Sequence, residues 1–491
     1  MEKKMKKLMT GTLAIAILAG FAGCSKGGDG ANGDVPTLNW YLRYDEQNDQ
    51  AEVSAKVNEI VEKEIGCKVN IMRIESGDYN QKLQLALFSG EPVDICHMAP
   101  RYGFYSHVSK NAFLPLDDLI DKYAKDTYKD IPERFWDAAK INGKIYGIPN
   151  YQIVGRENGF VVLKELLDKY NFDLSKVEKL EDMEPFFEAV KKGENNNMKI
   201  FGNASAAYTW GFNHLIGFDS IGDAGYPCVV RNNDKSLKVI NQFETEEFMN
   251  YCKLMRSWYQ KGYIPAQGSN DNLSDLKQQG LCASWCDNIP PGYISNFEKQ
   301  CNGRKVEAKV IDPPFVNTSN VIATMNCVGA NTKHSDKAVQ FINLVDQNVS
   351  DVYNILCYGI EGKHFTKVGD NRIQKIENSG YDPNVSWEFG NNFNAYLYGE
   401  QADNVWEETA KVNDEAIVSN LLGFSLNTDE IKTEISTCEA TTKEYLESLA
   451  SGAVDPETTI PEFLSKLKAA GADKVIEEAQ KQIDAWKAEK K

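Results

Sequence analysis

From Thr37 onward, two hydrophobic rhythms take turns along the chain. "TLNWYLRY" (37–44) is a strand pattern. "NDQAEVSAKVNEIVEKEIG" (48–66) sets Val53, Val57, Ile60 and Val61 at helical spacing and stops at Gly66. "CKVNIMRI" (67–74) predicts a second strand, "DYNQKLQLALFSG" (78–90) a second helix and "PVDICHM" (92–98) a third strand. This alternation predicts a parallel sheet with helices on its faces, an α/β domain. Right-handed crossovers would put the strand C-termini, with Tyr44, Asp45 and the 98–102 turn, on one rim. Open α/β sheets bind ligands at such a rim.

The rhythm pauses over "FLPLDDLIDKY" and "PERFWDAAKINGKIYGIPNYQ" and resumes near Val154 with "GFVVLKELLDKYN", "LEDMEPFFEAVKKG" and "TEEFMNYCKLMRSWYQKGYIP". "NVIATMNCVGA" predicts another strand, and "HSDKAVQFINLVDQ" a helix starting near Ser335, with Ala338, Phe341, Ile342 and Val345 on one face. Three further helical patterns end the chain, in "NTDEIKTEISTCEATTKEYLESLASG", "PEFLSKLKAAG" and "ADKVIEEAQKQIDAWKAEKK". No internal repeat is visible. Two α/β lobes, with the chain passing between them more than once, is the most economical reading.

The first 36 residues follow neither rhythm. Lys3, Lys4, Lys6 and Lys7 precede an apolar run from Leu8 to Ala22. That run is too short for a bilayer core, which needs about 20 residues, and fits an export signal. Phe21-Ala22-Gly23-Cys24 resembles the bacterial lipobox, in which small residues precede a cysteine that is acylated and becomes the mature N-terminus. Leucine is commoner where Phe21 stands. An ordinary signal peptide with an incidental cysteine is the alternative. "SKGGDGANGD" after Cys24 reads as a flexible tether, and two acyl chains on Cys24 would anchor it stably.

Cleavage before Cys24 leaves 468 of the 491 residues, enough for two or three domains. A net charge of −17 argues against nucleic acid as a partner, because little is available to neutralise phosphates. Ten cysteines follow Cys24, scattered through apolar stretches such as "DICHM" and "NILCYG". Cys282 and Cys286 in "LCASWC" are close in sequence, but four strand residues span about 13 Å, beyond disulfide reach. No histidine or second cysteine pair lies at metal-ligand spacing. The cysteines are therefore expected to be small buried hydrophobes, and neither metal nor cofactor is expected.

"NGKIYGIPNY" (142–151), "WYQKGYIP" (258–265), "TKHSDKAVQFINLV" (332–345) and "AGADKVIEEAQKQIDAWKA" (470–488) together resemble the family 1 extracellular solute-binding proteins. These are receptor subunits of ATP-driven sugar importers. "YGIEGKHF" (358–365) and "GFSLNTDEI" (423–431) resemble a lipoprotein branch whose C-terminal region of about 70 residues is a domain of unknown function. The resemblance implies an α/β, two-lobed periplasmic-binding-protein-like clamshell (type II) with a helical C-terminal region. It also implies a hinge of crossing strands. In "KIYGIPNY", Gly147 and Pro149 interrupt a strand pattern where such a crossing would bend, with a plain strand ending in a turn as the alternative.

A sugar cleft wants flat aromatics for C–H faces beside polar groups for hydroxyls. Loop stretches that combine them are "WCDNIPPGY" (Trp285, Asp287, Asn288), "AAYTWGFNH" (Trp210), "NVSWEFGNN" (Trp387, Glu388, Asn391), "IPNYQ" (Asn150, Tyr151) and "RYDEQND" (Tyr44, Asp45). Arg101 after the third strand and Glu361 in "GIEGKH" join the candidates, with a surface charge and a tight turn as their alternatives. Trp136, Trp258, Trp406 and Trp486 lie in amphipathic patterns and are assigned to packing.

The expected organisation is a signal over 1–23, the acylated Cys24 and tether over 24–36, and lobe 1 over 37–148. Lobe 2 follows over 149–318, lobe 1 returns over 319–360, and lobe 2 with the helical region closes the chain over 361–491. The expected function is non-enzymatic. A lipid-anchored protein at the extracellular face of the cytoplasmic membrane captures oligosaccharides as a monomer and delivers them to the permease subunits of an ABC importer. The alternatives are a secreted glycoside hydrolase or lyase, and a receptor for peptides or another small solute. The enzyme alternative lacks a Gly-x-Ser-x-Gly elbow, a P-loop or an HExxH motif.

Overall fold

The computed structural model describes residues 35–194, 197–222, 225–265 and 272–489. The strands of its two main sheets are, in chain order, Thr37–Arg43 (β1), Lys68–Ile74 (β2), Ile95–Met98 (β3), Ile148–Pro149 (β4), Arg156–Leu163 (β5), Lys199–Phe201 (β6), Cys282–Asn288 (β7), Val306–Val316 (β8), Met325–Val328 (β9) and Ile417–Val418 (β10). The first sheet has the order β2-β1-β3-β9-β4 and the second β10-β8-β5-β7-β6.

In lobe 1 the predicted alternation holds. β1 runs parallel to both β2 and β3, and the helix Gln50–Ile65 turns Val53, Val57 and Val61 into the core. Gly66 ends that helix at φ 67°, a left-handed conformation natural to glycine. The returning strand β9 pairs antiparallel with β3 and β4, so the sheet is mixed. The strand predicted over "NVIATMNCVGA" is confined to Met325–Val328, because Thr318–Val321 winds into a helical turn capped by the Asn317 side chain. Trp40 anchors the core edge-on to Phe341 at 5.2 Å, and its Nε1–H donates to Asn326 Oδ1 at 3.0 Å.

Lobe 2 is built on β5, flanked by antiparallel β7 and β8. Gly159 on β5 is a close approach: a Cβ there would lie 1.9 Å from the Lys309 carbonyl oxygen. The helices Lys432–Ala450, Pro456–Ala469 and Ala472–Glu489 complete this lobe. They insert Ile435, Cys438, Leu449, Phe463 and Ile483 into the same core as Phe160, Trp258 and Trp285.

The two cores exchange chain at three places. Val154 belongs to the first core and Phe160 to the second; Ile311 to the second and Val316 to the first; Ala416 to the first and Leu421 to the second. The first crossing therefore lies about five residues beyond the interrupted "YGIPN" strand. Gly147 and Pro149 stay in lobe 1, with Gly147 packed against Met325 and Cys327. The last return also differs from the expected boundary at 361. Phe365, Ile373, Val385, Phe389 and Tyr396 remain in the first core, and the crossing comes over 416–424, where Leu422 still packs in the first core while Leu421 and Phe424 pack in the second. Asn413, fully buried, ties two crossings together. Its Oδ1 accepts from the Val154 and Gly155 N–H groups at 2.8 and 3.1 Å, and its Nδ2 donates to the Gln152 carbonyl at 2.8 Å.

All ten cysteines from Cys67 to Cys438 are free and buried. Burial pushes Cys228 and Cys286 up to about 12, so these thiols stay protonated and inert. Cys24 and the leader lie outside the described residues.

Candidate binding cleft

Between the lobes lies a cleft of about 790 Å³, within the range of small-molecule sites. Lobe 1 contributes Asn80, Arg101 and Tyr105; lobe 2 contributes Arg156, Asn158, Asn213, His214 and Asp219; the crossing segments contribute Phe315, Asn317, Asn320 and Leu421.

The lobe 2 wall is a hydrogen-bonded set. Asp312 stands opposite Asn158 where β8 is irregular, and this break turns its carboxylate toward neighbouring side chains. Asn158 Nδ2 donates to it at 3.1 Å, and His214 Nδ1 lies 2.9 Å from both of its oxygens. Facing a carboxylate, Nδ1 donates to it, and Nε2 has no partner among the described residues. The imidazole lies over Phe315, centroids 3.9 Å apart. Gly211 is required here because a Cβ would meet the Asn158 amide at 2.4 Å. Asp219 is buried, accepts from the Ser419 hydroxyl, and is pushed up to about 6 by burial.

Two cations face this set. Arg101 lies in the short turn Pro100–Tyr102 after β3, just before the left-handed Gly103, and Arg156 opens β5. Neither makes an ion pair among the described residues. Burial and the proximity of Arg101 both pull Arg156 below its ordinary value. The cleft thus offers guanidinium donors, amide donors and acceptors, and aromatic faces, a combination suited to a hydroxyl-rich ligand.

Of the residues singled out in the sequence, Arg101 lines this cleft. Trp210 sits in the turn Tyr208–Phe212, whose Thr209 and Gly211 line it, while the Trp210 side chain lies outside the described residues. The structure places the others elsewhere. Trp285 is fully buried in the lobe 2 core, with the Lys277 ammonium 4.2 Å above its ring. Asp287 accepts from the N–H of its own strand neighbour Asn288, and Asn288 accepts from the Glu157 N–H, which braces β7 against β5. Tyr44 is buried under Phe389 and donates to Gln50; Asp45 is exposed beside it. Asn150 is spent on the Trp387 carbonyl and on Asn326, and Tyr151 stacks on Phe393 at 4.5 Å. Trp387 packs against the lobe 1 core. Glu361 is exposed in a tight turn closed by Gly362 N–H to the Phe365 carbonyl. The residues missed were Arg156, Asn158, His214 and Asp312. The polar pair Asn213-His214 lay inside the stretch chosen for Trp210, and Asp312 stood before the Pro-Pro that disrupts its strand.

Residues 56–351 match the bacterial extracellular solute-binding protein family, and residues 420–488 match a domain of unknown function, DUF3502. The chain belongs to the bacterial extracellular solute-binding proteins. It is an extracellular binding protein and not an enzyme. It is 30% identical, over the full length of both chains, to a carbohydrate ABC transporter substrate-binding protein of Streptococcus pneumoniae serotype 4. The fold is similar to that of the N-glycan transport solute-binding protein NgtS from S. pneumoniae, with TM-score 0.83, 28% identity and coverage of 93% of this chain and 100% of that one. With NgtS in complex with Man1GlcNAc the TM-score is 0.72, covering 92% and 99% of the two chains. With Man5GlcNAc it is 0.70, covering 93% and 99%.

Proposed function

We propose that this protein is the substrate-binding component of a carbohydrate ABC importer, taking an oligosaccharide between its lobes and handing it to the permease. The observation that carries this reading is the cleft itself. Arg101 from lobe 1 faces Arg156, Asn158 and His214 from lobe 2, so one extended ligand reaches donors and acceptors on both sides. The relation to the pneumococcal carbohydrate-binding protein and to NgtS supports a glycan as that ligand. In this reading Arg101 contacts the ligand directly. Acylated Cys24 holds the protein, as a monomer, at the extracellular face of the cytoplasmic membrane, and ATP is hydrolysed by another subunit.

Isothermal titration with Man1GlcNAc, Man5GlcNAc and short peptides tests the ligand class. Saturable heat with a glycan, and recovery of that glycan uncleaved, is the expected result. Binding of peptides alone overturns the carbohydrate reading, and release of cleaved sugar overturns the receptor reading. Mass spectrometry of the membrane-bound protein should find Cys24 acylated at its N-terminus, and Cys24→Ala should remove the acyl group.

A further inference from the structure

The C-terminal domain matched over 420–488 carries no known role, and most of its apolar surface completes the lobe 2 core. Phe463 packs on Phe243 at 4.9 Å, and Arg256 donates to the Gly452 and Ala453 carbonyls. Those contacts account for its stability but leave its first twenty residues unexplained. Phe424, Ser425, Leu426, Thr428 and Glu439 all line the interlobe cleft. The segment starts at the third crossing, where Gly423 N–H donates to Thr318 Oγ1 at 2.9 Å. Ser425 then meets the hydroxyl of Tyr105 from lobe 1. This end of the domain therefore forms a wall that touches both lobes.

The wall adds an exposed charged acceptor to the cleft. Two carboxylates line the cleft among the described residues, Asp219 and Glu439. Asp219 is buried; its Oδ2 accepts a hydrogen bond from the Ser419 hydroxyl, and its Oδ1 is buried without a partner among the described residues. Asp312, just behind the lining, is committed to His214 and Asn158. Glu439 is exposed on the helix Lys432–Ala450 and makes no hydrogen bond or ion pair among the described residues. A sugar hydroxyl donates one proton while accepting others. Arg101 and Arg156 are donors only, so strong acceptance must come from elsewhere, and of the two carboxylates on the cleft Glu439 is the exposed one, with both oxygens open to a ligand.

We propose that the C-terminal domain is part of the ligand site, with Glu439 accepting hydroxyl hydrogen bonds from the bound glycan and Thr428 lining the same wall beside the apolar faces of Phe424 and Leu426. This rests on the glycan-binding reading above. The alternative is that the domain only extends the lobe 2 core.

The test is titration of the full chain with Man5GlcNAc, comparing wild type with Glu439→Ala, Thr428→Val and, as a control on the far end of the same helix, Glu447→Gln. Loss of a hydrogen bond to a charged group predicts about tenfold weaker binding or more for Glu439→Ala, and a smaller loss for Thr428→Val. The control should bind as wild type does. Thermal midpoints should stay unchanged in all three, since Glu439 and Glu447 are exposed and Thr428 is half-buried. Wild-type affinity in both Glu439→Ala and Thr428→Val overturns the inference while leaving the receptor function standing. Failure of the wild type to bind any glycan overturns the functional reading and this inference with it.

Discussion

Trp285 shows what a single residue conceals in sequence. Its neighbours Asp287 and Asn288, ahead of Pro-Pro, gave it the company of a sugar-binding loop, yet it points from β7 into the lobe 2 core, edge-on to Phe297. Alternation along a strand decides which face a side chain takes, and the sequence shows the alternation without showing which face is the cleft. Trp285→Ala is accordingly expected to destabilise lobe 2 by about 3–5 kcal/mol, measured by denaturant unfolding, whereas loss of binding with unchanged stability would contradict the packing seen here. Asp346 was invisible for a related reason, since no local pattern marks a buried carboxylate at a helix end. Burial raises it to about 8, although the Asn391 N–H donates to it at 3.0 Å. A folded-state value far above the ordinary unfolded value of about 3.9 means that the native state binds the proton more tightly. Its stabilising contribution is complete below about pH 4 and lost as pH rises toward 8. Asp346→Asn does not titrate and keeps an acceptor oxygen. Its unfolding midpoint should therefore rise relative to wild type between pH 4 and pH 8, and a difference constant across that window would refute the assignment.

Elements were more legible than sites. The helices at Gln50–Ile65 and Ser335–Asp346 and strands β1 to β3 follow from periodicity and glycine stops alone. The crossings were not legible to the residue, because a strand that changes lobes keeps its hydrophobic pattern on both sides. What fixes the first crossing is a distant partner, Asn413, which follows Gln152 by 261 residues. Gly155 leaves room for it: a Cβ there would lie 3.0 Å from the Val412 carbonyl and 3.2 Å from Ala416 Cβ. Asn413→Ala strands two buried N–H donors and is expected to cost about 3 kcal/mol. Because Asn413 joins the first crossing to the third, the same variant should also change ligand affinity without touching the ligand. Unfolding and titration of one preparation would separate the two effects; an unaltered dissociation constant would limit Asn413 to stability.

For the whole molecule, the comparison with NgtS supplies a geometric observation. Sequence identity is 28% in all three alignments, yet the TM-score falls from 0.83 to 0.72 and 0.70 against the two glycan complexes. Identical sequence similarity with different superposition locates the difference in the arrangement of the chain. The lobes here are joined through three crossings, with guanidinium groups from each facing the cleft, and such a joint moves by small dihedral changes in a few residues. A ligand held by both lobes favours the arrangement in which both sets of contacts are made, and shifts the population by its difference in affinity for the two. Saturating glycan should therefore lower the radius of gyration in small-angle scattering. Arg101→Ala, which removes a lobe 1 donor and leaves the lobe 2 wall intact, should weaken binding and, at concentrations that still saturate the site, reduce the compaction. If wild type binds glycan with an unchanged scattering profile, the ligand is captured without closure, and the permease must recognise something other than the approach of the two lobes.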